Sequence, residues 1–154
     1  MKIMKVKIRD SVVISYQKNS DYSDITTFNS YELISKEKPK KEFVQALNKL
    51  NKYIPMIMDL NPDINFAIDI TGIKFKYKNK DEDIGFVISG KRIVSSSNTP
   101  LNINTPLIFR DSEHDLPISL FDDIDIIIKH AIGYIQGERE PRSQTDMGFN
   151  ETGD

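Results

Sequence analysis

Lysine or arginine falls at every second position in two separated stretches of this chain, with apolar residues between. In the first, Lys5, Lys7 and Arg9 alternate with Met4, Val6 and Ile8; in the second, Lys74, Lys76 and Lys78 alternate with Ile73, Phe75 and Tyr77. A period of two is the mark of a strand with one face on a core and one face toward solvent, and no helix can satisfy it. Each stretch therefore commits the chain to a sheet whose apolar face must be covered and whose other face is basic.

Further strands follow from the same rule. Val12, Ile14 and Tyr16 continue an apolar face after a turn at Asp10-Ser11, so residues 2–9 and 12–17 read as an antiparallel hairpin. Residues 25–35 read as a third strand whose alternation fits either face. Ile64, Phe66, Ile68 and Ile70 alternate up to Gly72, beyond which the phase reverses, so a bulge at Gly72 and a tight hairpin both remain open. Residues 84–94, containing Lys91 and Arg92, supply another strand.

Two segments change period. From Pro39 onward, Phe43, Ala46, Leu47, Leu50, Tyr53 and Ile54 recur at helical spacing, and Pro55 should end or kink that helix, with 56–60 as an irregular apolar extension. A second helix is expected from Ser119, as N-cap with Asp122 and Asp123 in its first turn, to a stop at Gly137. Between them, 95–116 reads as a long loop carrying Asn98-Thr99-Pro100 and Asn104-Thr105-Pro106, with Leu107-Ile108-Phe109 as an anchor or short strand. The order of elements predicts an α+β fold: one mostly antiparallel sheet of five or six strands with two amphipathic helices on one face. The domain should span 1–137, and 138–154 should form a disordered acidic tail.

Composition narrows the functional classes. The 154 residues include no Cys, which removes disulfide scaffolds, Cys-ligated zinc, iron–sulfur clusters and thiol nucleophiles. No apolar run reaches the roughly 20 residues of a membrane span, and the alternating start is unlike a signal peptide, so a cytoplasmic protein without membrane contact is expected. There is no Walker lysine motif, dinucleotide-binding glycine pattern, nucleophile elbow or paired-histidine zinc motif. Glu113-His114-Asp115 reads as a solvated acidic loop, and Asp122, Asp123 and Asp125 as ordinary helix acids. Asp63 and Asp69 lack the acidic-x-Lys that a nuclease needs, because Ile70 and Thr71 follow Asp69. No catalytic residue, metal or cofactor is assigned.

Charge is uneven along the chain. Residues 1–92 hold 17 basic and 12 acidic groups, a balance of +5; residues 93–136 balance at −4 and 137–154 at −3. The 16 Lys and 23 Ile against 3 Ala match an AT-rich codon bias, so the position of the lysines is more informative than their number. Phosphate binding needs several cations on one surface, and Lys5, Lys7, Arg9, Lys74, Lys76, Lys78, Lys91 and Arg92 are the candidates for a nucleic-acid contact. Tyr22, Phe28 and Tyr31 are candidates to stack on bases, whereas Tyr16, Phe75 and Tyr77 are expected in the core. The acidic tail, with Met147 and Phe149, is similar in composition to the tails of single-stranded DNA-binding proteins.

The opening strand Lys5-Val6-Lys7-Ile8-Arg9-Asp10, the helix entry Glu37-Lys38-Pro39 and the loop from Asn98-Thr99-Pro100 to Asn104-Thr105-Pro106 resemble small early-gene proteins of tailed phages and prophages. That resemblance covers about residues 1–137 and carries no site residues. It implies a bacterial host cytoplasm and a role in phage DNA replication, recombination or countering host defence. The leading expectation is a non-enzymatic accessory protein that binds single-stranded DNA through the basic sheet face. A protein-binding inhibitor or adaptor, such as an anti-defence protein acting on a phage or host protein through the 95–116 loop, the acidic helix or the tail, is the alternative. A strand edge left unpaired would also allow homodimerisation.

Overall fold

A computed structural model describes residues 1–19, 28–61, 63, 66–78 and 83–141. Its centre is an antiparallel sheet of seven strands among the described residues. These are β1 (Lys2–Ile8), β2 (Val12–Asn19), β3 (Phe28–Ser35), β4 (Asp69–Lys78), β5 (Asp83–Val94), β6 (Thr99–Asn104) and β7 (Ile108–Phe109). They lie in the order β3-β2-β1-β4-β5-β6, and β7 pairs with β5 as well. Helix α1 (Lys41–Asn48) continues through a 3-10 turn (Lys49–Tyr53) into the short α2 (Ile54–Ile57), and α3 is Ile118–Ile135. The architecture is the expected α+β, with the helices on one face of the sheet.

One core joins the layers. Val6, Ile14, Ile73, Phe75, Phe86 and Ile88 from the sheet meet Phe43, Leu47 and Leu50 on one side and Leu120, Ile124 and Ile127 of α3 on the other. Burying each such side chain contributes roughly 2–3 kcal/mol. The Phe43 ring stacks on His130 and tilts against Tyr134, fixing α1 to α3, while Phe86 meets Phe121 edge to face. Tyr134 is fully buried and donates its hydroxyl proton to the Glu37 carbonyl at 2.6 Å.

Bulges set which residues face inward. The β1–β2 register shifts between Ile3 and Lys5, so Ile3 and Val6 are both buried although three positions apart, and Met4 is only half-buried. Of the expected inward set, Val6 and Ile8 join the core and Met4 does not: the extra residue of the bulge moves Ile3 there in its place. At the second alternation the bulge reading holds and the hairpin is excluded. β4 is one strand, with its shift against β5 between Ile70 and Gly72, which keeps Ile70 and Ile73 both buried. Gly72 is obligatory there, because a Cβ would stand 2.5 Å from the Val6 carbonyl oxygen of β1. Residues 66–68 precede β4 outside the sheet. The Asn51 side chain serves as a strand partner for Ile68, accepting its N–H at 3.0 Å and donating to its carbonyl at 2.9 Å.

β3 takes the register that the sequence left open: Tyr31 and Leu33 pair with the inward Tyr16 and Ile14, which turns Phe28 and Ile34 to the opposite face. The α-helical part of helix one ends at Asn48, a 3-10 turn carries it to Tyr53, and Pro55 sits in the first turn of α2, so the helical path changes type before the proline and does not end at it. The expected irregular stretch 56–60 is the end of α2 followed by an ordered stop over 58–60. Asp59 adopts a φ of 57°, and the Leu60 and Asp59 N–H groups reach back to the Pro55 and Met56 carbonyls. Gly137 ends α3 in the same way, with a φ of 109° and Glu138 and Gly137 bonded to Gly133 and Tyr134.

The long loop expected over 95–116 is the largest correction. Ser95–Asn98 turn tightly, with Asn98 at φ 52° donating to the Val94 carbonyl, and the chain then runs back along β5 as β6 and β7. Between them the buried Thr105 pairs with Ile88 twice: its N–H donates to the Ile88 carbonyl, and its hydroxyl oxygen accepts the Ile88 N–H, both at 2.9 Å. The edge of β5 thus finds partners along its length, which is the demand that buried backbone groups impose. Proline does not prevent this, since Pro100 lies in an outermost strand.

α3 begins at Ile118 with Pro117 as N-cap, so Ser119 is inside the helix and Asp122 and Asp123 lie beyond its first turn. Ordered contacts continue past the expected boundary at 137/138. Arg139 lies over the Tyr134 ring and bonds Glu37 at 2.9 Å, and the Glu140 N–H donates to the Lys38 carbonyl. The remainder of the expected tail, 142–154, lies outside the described residues.

Candidate functional site

Because antiparallel partners share a face, the pairing registers locate every candidate cation. Lys5 stands directly opposite Lys74 across the β1–β4 ladder, and Lys7 stands opposite Gly72. Lys76 pairs with Gly85 and Lys78 with Asp83 in β5. All lie on the face away from the helices, opposite the buried Val6, Ile73 and Phe75. Lys7, Lys74, Lys76 and Lys78 are exposed and Lys5 is half-buried. The two basic alternations of the sequence thus meet at the centre of the sheet.

Partial neutralisation occurs at the rim. Lys5 has Glu32 of β3 at 3.9 Å, and Arg9 has Asp69 at 3.8 Å. Lys91 pairs with Asp69 on one side and Asn102 on the other, so Arg9, Asp69 and Lys91 form a mixed-charge end. Among the described residues, Lys7, Lys74, Lys76 and Lys91 have no ion pair. Like charges directly opposite each other in a ladder are destabilising, so the Lys5–Lys74 pair is a local cost that the fold retains.

Arg92 does not join this face. As the neighbour of Lys91 in an extended strand it points the other way, and its guanidinium lies 4.5 Å from the centre of the Phe66 ring. Its assignment to the basic face is corrected by the alternation of side chains along β5. Lys2, not singled out from the sequence, is on the lysine face by its pairing with Gln17, and its ammonium lies 4.7 Å from the Phe28 ring centre.

Aromatic groups occur at the borders. Phe109 of β7 lies over Gly85, where a Cβ would come within 2.8 Å of the ring, and the Lys78 ammonium stands 3.8 Å from the ring centre. The side chain is half-buried and on the lysine face. Leu107-Ile108-Phe109 is legible as an anchor or short strand, and β7 is that strand; the face on which Phe109 lies depends on β7 returning to β5. Phe28 is exposed, and Tyr31 is exposed but stacks on Tyr16 on the other face. Phe75 is buried, and half-buried Tyr77 donates to the Ile3 carbonyl at 2.6 Å. Tyr22 lies outside the described residues.

The acidic helix is largely engaged internally. Asp123 accepts the Tyr53 hydroxyl at 2.6 Å and has Lys52 at 3.6 Å, and Asp125 takes Arg110 at 2.7 Å. The Lys52 pKa is held above the ordinary lysine value, chiefly by the Tyr53 hydroxyl and in smaller part by Asp123. Asp122 is exposed. His114 contacts the Arg110 carbonyl through Nε2 at 2.9 Å and packs on Phe121, which gives it a structural role in the turn before α3. Among the described residues, no three His, Asp or Glu side chains gather as a metal site, and no helix is long and apolar enough to cross a membrane.

The arrangement defines a class in physical terms: an antiparallel α+β sheet covered by helices on one face and studded with lysine on the other. Comparison with protein-family models, curated proteins and solved structures finds no match for this chain.

Proposed function

We propose that this protein binds single-stranded DNA across the uncovered sheet face, as a non-enzymatic accessory in phage-type DNA metabolism. The observation that carries the reading is the juxtaposition of Lys5 with Lys74 in the two central strands, flanked by Lys7, Lys76 and Lys78. A phosphate chain laid across the ladder would offset their mutual repulsion, and counterion release would supply affinity without base specificity. Single strands are favoured over duplex because the helices among the described residues pack behind the sheet, leaving none of them on the lysine face to enter a major groove, while the half-buried Phe109 beside Lys78 offers a ring to unpaired bases.

The test is fluorescence anisotropy of labelled single-stranded and duplex oligonucleotides at several salt concentrations. Five phosphate contacts on a single strand correspond to a log–log salt slope of about −3.5, so affinity should fall roughly 100-fold between about 50 and 200 mM salt. Replacing Lys74, Lys76 and Lys78 with Glu should abolish binding by a folded protein. Salt-insensitive binding, or binding that survives the triple substitution, would remove this face from consideration.

A further inference from the structure

The two ends of the sheet are built differently. At one end β6 carries Pro100, and β7 completes the pairing of β5. At the other, β3 pairs with β2 through eight consecutive residues without a bulge, and among the described residues no strand pairs with its outer edge. Phe28–Ser35 contains no proline, no lysine and no bulge, the features that usually discourage edge pairing, and Glu32 is its one charged residue. It also carries Phe28, Tyr31 and Ile34, exposed by 45%, 44% and 67%.

We propose that β3 pairs antiparallel with β3 of a second copy of this chain, in the register that places Tyr31 opposite itself. The choice of partner rests on self-complementarity. About a two-fold axis perpendicular to the sheet, a residue on one face can pair only with a residue on the same face, so only registers centred on a residue are allowed. Centring on Tyr31 sets Phe28 against the partner's Ile34 twice, on the lysine face, and sets Glu32 against the partner's Ser30. Tyr31 meets its own copy on the helix face, next to Tyr16, on which it already stacks. Moving the centre to Glu32 would oppose two carboxylates and set Phe28 against Lys36. Centring on Ser30 would set Phe28 against Glu32 and leave Ile34 without an apolar partner. One register therefore covers all three exposed apolar side chains and leaves no like charges opposed. Its axis keeps both lysine-bearing faces on the same side of one continuous sheet.

Sedimentation equilibrium on the full chain tests this. The wild type should run at twice the 17.7 kDa chain mass, and Ile34→Lys, at a solvent-exposed position, should halve that mass while retaining the wild-type circular dichroism. Ile93→Lys, 59% exposed in β5 beside the other end of the sheet, should keep the dimer. Because the chain has no cysteine, Tyr31→Cys should be cross-linked to itself by a short bis-maleimide. A monomeric wild type, or a dimer unchanged by Ile34→Lys, overturns the proposal. Failure of Tyr31→Cys to cross-link within a dimer overturns the register.

Discussion

Replacing Lys74 with Glu should make the fold more stable while weakening its capacity to bind DNA. Lys74 is exposed and stands opposite Lys5, with Lys76 two positions along the same strand and Lys7 next on the same face of β1. For ammonium groups splayed to about 7 Å in water, each repulsion is worth roughly 0.6 kcal/mol. Reversing one sign converts the main repulsion into an attraction. Competition from Glu32, which already holds Lys5 at 3.9 Å, reduces the gain, leaving a net stabilisation of about 0.5–1 kcal/mol. In a domain of this size that corresponds to about 1–4 °C in Tm. Urea melts of the wild type, Lys74→Gln and Lys74→Glu should rank in that order of increasing stability at low salt and converge as salt screens the pair. Anisotropy titrations should rank affinity in the opposite order. A Lys74→Glu protein that is no more stable than wild type at low salt would refute the claim that the lysine face is electrostatically crowded.

Three further substitutions probe the frame that positions this face. Gly72→Val would push a side chain into the Val6 carbonyl, and the resulting strain in the β1–β4 ladder should cost about 3 kcal/mol, read as a lower urea midpoint. Thr105→Val keeps the shape but removes the acceptor of the Ile88 N–H. It should cost about 1–3 kcal/mol, and hydrogen exchange should accelerate at the Ile88 amide more than at Phe86. Asn51→Ala deprives Ile68 of both its partners and should cost about 2 kcal/mol; an unchanged melt would show that water replaces the amide.

Much of the frame is legible in local order. The alternation at Lys74–Lys78 marks a strand, the helical spacing from Phe43 marks α1, and Gly137 marks a stop, because each reflects backbone geometry that acts over a few residues; Pro55 instead lies in the first turn of α2. The separation of Lys91 from Arg92 is equally local, since consecutive strand residues face opposite ways. The bulge at Met4 is less accessible, as it shows only in which of Ile3 and Met4 is buried against the helices.

The sequence by itself determined the α+β class, the apolar face of most elements and the existence of two basic strand faces, because side-chain period and turn chemistry are short-range. Only the tertiary structure decided that β1 and β4 are neighbours although some 60 residues separate them, which brings Lys5 against Lys74. It also decided that 99–104 of the expected loop is strand and that the short strand at 108–109 pairs with β5: the edge of β5 demanded hydrogen-bond partners, and Thr105 could supply one with its side chain. Pairing between distant segments is a competition among all available edges, and no local pattern records its winner.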